Sequence, residues 1–465
     1  MILGAKIAVA RAAGALSRRS GRGGTSLPGK VLMRLEPDAI AGLAGRLPHG
    51  NAVISATNGK TTTAAMVAAI LERSGTRLVH NRAGANMAGG VASVLLGAAR
   101  GDGIDGDAGL FEVDEFWLDR VVAQLEPRAL LLANLFRDQL DRYGELETIA
   151  DRWAATVAAA PATQLVLNAD DPLVADLGRV REQESGGAGG GGLGAVTYFG
   201  VQDDAVALRG MAHASDSKHC RRCGALLTYD AVYMGHLGQW HCPKGDTHRP
   251  APDVFATAIT LDGTRAAGFE LHVRGEQATV ALPLPGLYNV YNALGAAALT
   301  SALGAPLADI VAGLASTQAA FGRAETVQIA GRDLAILLVK NPAGANEVLR
   351  TLALDPGEHD VLAVLNDKIA DGRDISWVWD ADFETIAGSV RRVTCSGTRA
   401  AELALRLKYA GVPPQRLHVQ PDLEAGLDAA LVDGAGRLVA LPTYTAMLAL
   451  RELLVARGAA KGSFG

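Results

Sequence analysis

Residues Asn51–Ala64, NAVISATNGKTTTA, constrain this chain more than any other stretch. An apolar run, Ala52–Ile54, leads into Thr57-Asn58-Gly59-Lys60-Thr61-Thr62, and Met66, Val67, Ile70 and Leu71 follow at helical spacing. A strand, a Gly-Lys-Thr turn and a helix in that order make a phosphate-cradling loop, because glycine permits the tight turn and main-chain N–H groups then wrap the phosphate. Lys60 is placed to reach the β/γ-phosphates, and Thr61 or Thr62 to offer a hydroxyl to Mg²⁺. The pattern G-x-x-x-x-G-K-[ST] is incomplete, since Ile54 stands at its first glycine. A strand-to-helix turn with an incidental Gly-Lys is therefore the competing reading.

The chain around this loop alternates apolar runs with helical patterns, which predicts a doubly wound, mostly parallel α/β sheet. Gly109–Glu115 is an apolar strand ending in carboxylates, and Glu112 is the first choice as the acid on the Mg²⁺ side of the site. Ala129–Leu135 and Leu165–Asn168 are further buried-strand runs, the second ending in Asn168-Ala169-Asp170-Asp171-Pro172. The loop Asn81–Met87 is polar and contains Gly84, a composition that lines sites at strand ends. Asn289 and Asn292 lie three apart on one face of a helix rich in small residues, which suits a nucleobase, although capping alone explains Asn289. Residues 185–194, SGGAGGGGLG, form a Gly-rich loop with no chemistry of its own.

Residues 213–250 read as an insert. Cys220-x-x-Cys223, a hairpin pattern and Cys242-Pro243 resemble a zinc ribbon, and so small a segment would fold poorly without a structural metal. A fourth cysteine would fall at position 245, which is Gly245, so Asp246, His248, His241 or His236 must close the tetrahedron. The competing reading is a degenerate ribbon without metal.

From Ser316 the composition resets. Strands ending in Lys340-Asn341-Pro342, in Asn366-Asp367-Lys368 and in Pro442-Thr443-Tyr444 predict a second, Rossmann-like α/β domain. The segment DGRDISWVWD, Asp371–Asp380, holds more Asp and Trp than packing requires. The boundaries expected are an N-terminal segment 1–50, a central domain 51–315 carrying the 213–250 insert, and a C-terminal domain 316–465.

Composition removes several classes. A chain of 465 residues exceeds one ordinary core, and 49% hydrophobic with 20% charged residues is a globular profile. The net charge of -5 gives no basic surface for nucleic acid. Four cysteines do not make a disulfide framework. No apolar run approaches the roughly 20 residues of a membrane helix. The start, MILGAKIAVARAAGALSRRS, is interrupted by Lys6 and Arg11 and carries its basic cluster after the apolar part, the wrong layout for a signal peptide. A surface helix fits it better than an amphipathic helix on an anionic membrane.

Taken together, Thr57–Thr63, Glu112, Asn168–Pro172, Asn289 with Asn292, Phe321–Glu325 and Lys340–Pro342 resemble the Mur ligase superfamily, in family order along nearly the whole chain. The insert and the Asp371–Asp380 loop narrow the likeness to the MurT family, the synthetase subunits of lipid II isoglutaminyl synthase. Mur ligases ordinarily carry an N-terminal domain for a UDP-linked substrate; here the phosphate loop already stands at Thr57, so that domain is expected to be missing. The resemblance implies that ATP converts the α-carboxyl of D-glutamate in the lipid II stem peptide into an acyl phosphate. Ammonia from a GatD-type glutaminase partner then gives D-isoglutamine, in peptidoglycan synthesis at the inner face of the membrane by a cytoplasmic protein. It adds Arg323 to the ATP contacts, and it implies that Asp371 or Asp374 completes the partner's Cys-His triad, with Asp371 the first choice. Where Mur ligases often show Asp-His, this chain has Asp138-Gln139. Cys395 stands alone, so no glutaminase nucleophile is evident in this chain. The rival readings are a folylpolyglutamate-type or Mur amino-acid ligase that works alone, and a nucleotide-binding subunit without turnover.

Overall fold

The computed structural model describes residues 3–19, 26–82, 85–138, 146–184, 194–211, 215–245, 247–318, 325–432 and 436–460. Arg323, Asp246, Gln139 and most of the 185–194 loop lie outside them.

The central strands are β1 (Asn51–Ser55), β2 (Leu78–His80), β3 (Ala108–Glu112), β4 (Ala129–Leu132), β5 (Gln164–Asn168) and β6 (Val196–Val201). The hairpin β7 (Thr228–Met234) and β8 (Leu237–His241) follows, then β9 (Val254–Asp262), β10 (Ala266–Val273) and β11 (Glu276–Leu282). Apart from the hairpin, these form one nine-stranded sheet in the order β11-β10-β9-β6-β5-β4-β1-β3-β2. It is parallel from β2 through β9, and β10 and β11 extend it antiparallel. All five residues of β1 and all four of β4 are buried, as parallel strands covered on both faces must be, which explains their unbroken apolar runs. The chain leaves β1 toward β3 on one side and returns to β4 on the other. That reversal opens a crevice at the carboxyl ends of the strands, where ligands of such sheets bind.

The N-terminal helices are packed onto this domain. Helix Leu3–Arg19 lies on Leu27–Leu35, which lies on Ala88–Ala98. Ile7 and Ala10 are buried in the contact, and Arg11 donates to the carbonyl of Leu96. The opposite face of this helix, with Ala8, Val9 and Ala12, is exposed.

The C-terminal strands β12 (Glu325–Ile329), β13 (Arg332–Ile336), β14 (His359–Val364), β15 (Val390–Ser396), β16 (Leu417–Val419) and β17 (Leu438–Pro442) form a separate six-stranded sheet, in the order β12-β13-β17-β14-β15-β16. Only the β12–β13 pair is antiparallel. The helix Pro342–Ala353 follows β13, capped by Asn341, whose Oδ1 accepts from Gly344 N at 2.8 Å.

The hairpin insert is braced against the end of β5. Trp240 Nε1 donates to the Ala169 carbonyl, Gly238 N to that of Asp170, and Arg249 Nε to Asp170 Oδ1 at 2.6 Å.

Candidate active site

Helix Lys60–Arg73 begins at Gly59, which has a left-handed φ of 88°. A Cβ added there would stand 2.0 Å from Asn292 Oδ1, so both the backbone angle and the space demand glycine. Asn134, just past β4, clamps the other side of the loop: its Oδ1 accepts from Asn58 N at 2.9 Å and its Nδ2 donates to Asn58 O at 3.0 Å. Thr57 Oγ1 accepts from Phe136 N.

Around this loop lies a cleft of about 330 Å³, lined by Thr57 to Thr62 and by Glu112, Asp114, Glu115, Asp138, Asn289, Asn292, Lys340 and Glu347, among others. Lys60 is buried and donates to Glu115 Oε2 at 2.8 Å and to the Ala56 carbonyl. Burial disfavours its ammonium, but Glu115, Asp114 and Glu112 outweigh burial and hold its pKa above the ordinary value. Thr61 Oγ1 donates to Glu112 Oε1 at 3.0 Å. A hydroxyl and a carboxylate oxygen side by side at a phosphate loop are the hard oxygen ligands that Mg²⁺ takes, so Thr61 and Glu112 fit the ion and would hold it.

The C-terminal domain closes the cleft. Lys340 Nζ donates to Asp138 Oδ2 at 2.7 Å and to the Thr57 carbonyl at 3.1 Å. The amides of Asn58 and Asn341 bond each other reciprocally, at 3.1 and 3.3 Å.

The structure gives Asn289 and Asn292 a task besides a nucleobase. Both are buried; Asn292 Oδ1 accepts from Thr63 Oγ1 at 3.3 Å, Asn292 Nδ2 donates to Asn289 Oδ1 at 3.0 Å, and Asn289 Nδ2 donates to the Pro285 carbonyl at 2.7 Å. They fix the loop from the side opposite Asn134.

Asp371 and Asp374 separate clearly. Asp371 is buried, and its carboxylate accepts from Thr445 N at 2.7 Å and Thr445 Oγ1 at 2.5 Å, capping helix Tyr444–Ala456. Asp374 is exposed and holds only a local turn, accepting from Ser376 N at 2.8 Å, a bond that keeps its carboxyl below the usual range. The first choice from sequence therefore turns inward as a helix cap, and Asp374 is the one facing out.

The sulfurs of Cys220, Cys223 and Cys242 lie within 4.8 Å of one another. Burial works against the Cys220 thiolate, but hydrogen bonds from Thr247 Oγ1 and main-chain N–H groups overcome it and bring the thiol down to about 7. Three converging thiols fit a soft ion such as Zn²⁺, and they would hold it. Two histidine candidates for the fourth ligand are corrected. His236 is fully buried 3.4 Å from Asp171, and His241 faces Asp230 at 3.5 Å. His248 pairs through its backbone with His241, and no histidine joins the three cysteines among the described residues.

Glu115, Asn134 and Glu347 were not singled out from sequence. Glu115 sits in the carboxylate run that pointed to Glu112, and that run was the available signal; Asn134 and Glu347 offer none, since their roles arise only from the approach of distant strands.

The fold and this cleft define a Mur-type ligase. Residues 54–186 match the Mur ligase middle domain family, and residues 338–447 the MurT ligase C-terminal family. The chain is 31% identical over 440 residues to the lipid II isoglutaminyl synthase (glutamine-hydrolyzing) subunit MurT of Streptococcus pneumoniae, covering 94% of both chains. It is also 31% identical to the subunit of the same name from Staphylococcus aureus, covering 96% of this chain and 97% of that one. A pseudomurein peptide ligase type C from Methanothermus fervidus shares the fold, with a TM-score of 0.66 at 21% identity over 89% of this chain and 80% of that one. The chain belongs to the MurT family.

Proposed function

We propose that this chain is the ATP-dependent synthetase subunit that amidates the α-carboxyl of D-glutamate in the lipid II stem peptide, using ammonia from a GatD-type glutaminase. The observation that carries the reading is the junction of the phosphate loop with Lys340 and Asn341 in one closed cleft, together with similarity to MurT subunits along the whole chain. A carboxylate is a poor electrophile, and phosphoryl transfer from ATP converts it into an acyl phosphate with a good leaving group. Thr57–Thr62 wrap the phosphates, and Lys60 exchanges Glu115 for the transferring phosphoryl group and offsets its charge. Mg²⁺, held by Thr61 and Glu112, would supply further charge neutralisation. Asn289 and Asn292 hold the loop in register; Arg323 is assigned to the same nucleotide by family likeness alone. Lys340 and Asn341 cover one side of the phosphate loop, which would limit access of water to the acyl phosphate before ammonia attacks.

Asp374 is assigned the contact with the glutaminase triad. It lies in a loop flanked by exposed apolar side chains, Ile369 and Trp379, with Tyr409 beside Trp379 at 5.9 Å between ring centroids. Such a patch suits a protein partner. No helix among the described residues is long and apolar enough to cross a membrane. The lipid-linked substrate of this reading would be met at the inner face of the bilayer.

The test is amide formation on lipid II with ATP, by the chain alone and with the glutaminase. Ammonium should support the reaction alone, and glutamine only with the partner. Asp374→Asn should lose the glutamine reaction and keep the ammonium one. Coupling of an amino acid in place of ammonia would make the chain a conventional ligase and overturn the reading.

A further inference from the structure

Glu347 lies in the second turn of helix Pro342–Ala353, lines the cleft, and is 5% exposed. Its carboxylate accepts no hydrogen bond among the described residues. The nearest cation is Arg350, 4.0 Å away and already donating to the carbonyls of Tyr233 and Val206 at 2.8 Å each. Tyr288, which also lines the cleft, lies close enough for the Glu347 charge to act on its hydroxyl. A carboxylate buried among such groups is costly unless a ligand completes it. Structural carboxylates in this protein are completed from within: Asp371 by Thr445, Asp170 by Arg249, Tyr291 and Val201 N.

We infer that Glu347 is the residue that binds ammonium in the cleft and takes its proton before attack on the acyl phosphate. The inference rests on the synthetase reading above. Mg²⁺ is a poor occupant here, because it requires several oxygens in octahedral array, whereas one carboxylate beside an aromatic ring suits a small monovalent donor. At neutral pH ammonia is mostly ammonium, which has no lone pair to attack with. Glu347 accepts one proton, and the freed lone pair forms the C–N bond at the acyl carbon. The C–O bond to phosphate then breaks, and the phosphate leaves with its electron pair. Acyl phosphate and ammonium thus give amide and dihydrogen phosphate: the attacking nitrogen sheds a second proton to the departing phosphate, and Glu347 passes on the first and returns to carboxylate. Burial raises the Glu347 carboxyl to about 7, with Arg350 opposing, and that range suits a base working near neutrality.

The experiment compares ammonium chloride with hydroxylamine, a neutral nucleophile at that pH, as acceptors with lipid II and ATP. Glu347→Gln should raise the KM for ammonium or lower amide formation by roughly 10²-fold, the scale of general-base catalysis, while hydroxamate formation and the KM for ATP stay near wild type. Glu347→Asp should recover part of the amide reaction. An unchanged ammonium KM and rate in Glu347→Gln, equal loss of amide and hydroxamate, or equal damage in the Asp and Gln variants would overturn the assignment and leave the synthetase reading standing. Failure of the wild-type chain to make either product would instead overturn the synthetase reading itself.

Discussion

Gly59→Ala tests how the phosphate loop is held. The substitution forces a left-handed φ of 88° on alanine, which costs about 1 kcal/mol. The new methyl would lie 2.0 Å from Asn292 Oδ1, so Asn292 must swing away and lose the bonds with Thr63 and Asn289. Each bond is worth about 1 kcal/mol, giving a total of about 3 kcal/mol. Asn292→Ala alone removes the same two bonds and should cost about 2 kcal/mol. The double variant has no side chain left to displace, so it should cost about 3 kcal/mol, the same as Gly59→Ala alone. The cycle therefore predicts a coupling of about 2 kcal/mol, well outside the range of independent sites. Urea unfolding of the four proteins at constant slope measures it. Additive losses, with the double variant near 5 kcal/mol, would refute the contact between Gly59 and Asn292 as the reason for the glycine.

Asp371→Asn should lose about 1 kcal/mol of stability as a weakened helix cap and slow the glutamine and ammonium reactions together; selective loss of the glutamine reaction would restore Asp371 as the triad residue. Elemental analysis of the wild-type chain should find about one zinc per chain at Cys220, Cys223 and Cys242, and Cys223→Ser should lose it and lower the Tm; a metal-free wild type would remove the zinc, and unchanged metal content in the variant would remove Cys223 from the ligands. Glu347 has a folded pKa of about 7 against an unfolded 4.5, so the folded state holds its proton more tightly. Its contribution is fully present below pH 4.5 and is lost as pH rises through 7 and beyond, by roughly 3 kcal/mol. Glu347→Gln should accordingly stabilise the protein at pH 8 and not at pH 4, and equal effects at both would refute the unpaired burial.

What the sequence made legible is what local chemistry encodes. The phosphate loop, its flanking strand and helix, and the carboxylate ending β3 lie within sixty-odd residues, and each carries its own periodicity or turn signal. Asn292 was visible as a polar residue on a helix, but its task was not, because Gly59 stands far upstream and the contact exists only once helix Leu287–Ala302 crosses the loop. Asp371 and Asp374 are equivalent by composition and differ by burial, a tertiary property. His236 was one of four residues near the cysteines that could close the tetrahedron by composition; the fold instead buries it 3.4 Å from Asp171.

The interdomain bonds give the cleft a further property. Lys340 donates to a carbonyl of the phosphate loop, and Asn341 both pairs with Asn58 and caps the helix that carries Glu347. Ordering the loop around a nucleotide therefore changes the same atoms that dock the C-terminal domain, and docking that domain places Glu347 in the wall. Two events that share contacts share free energy, and the coupling is reciprocal. A nucleotide that favours the docked domain must bind more tightly when the domain is docked. By that coupling a bound nucleotide would favour the docked arrangement in which Glu347 lines the cleft.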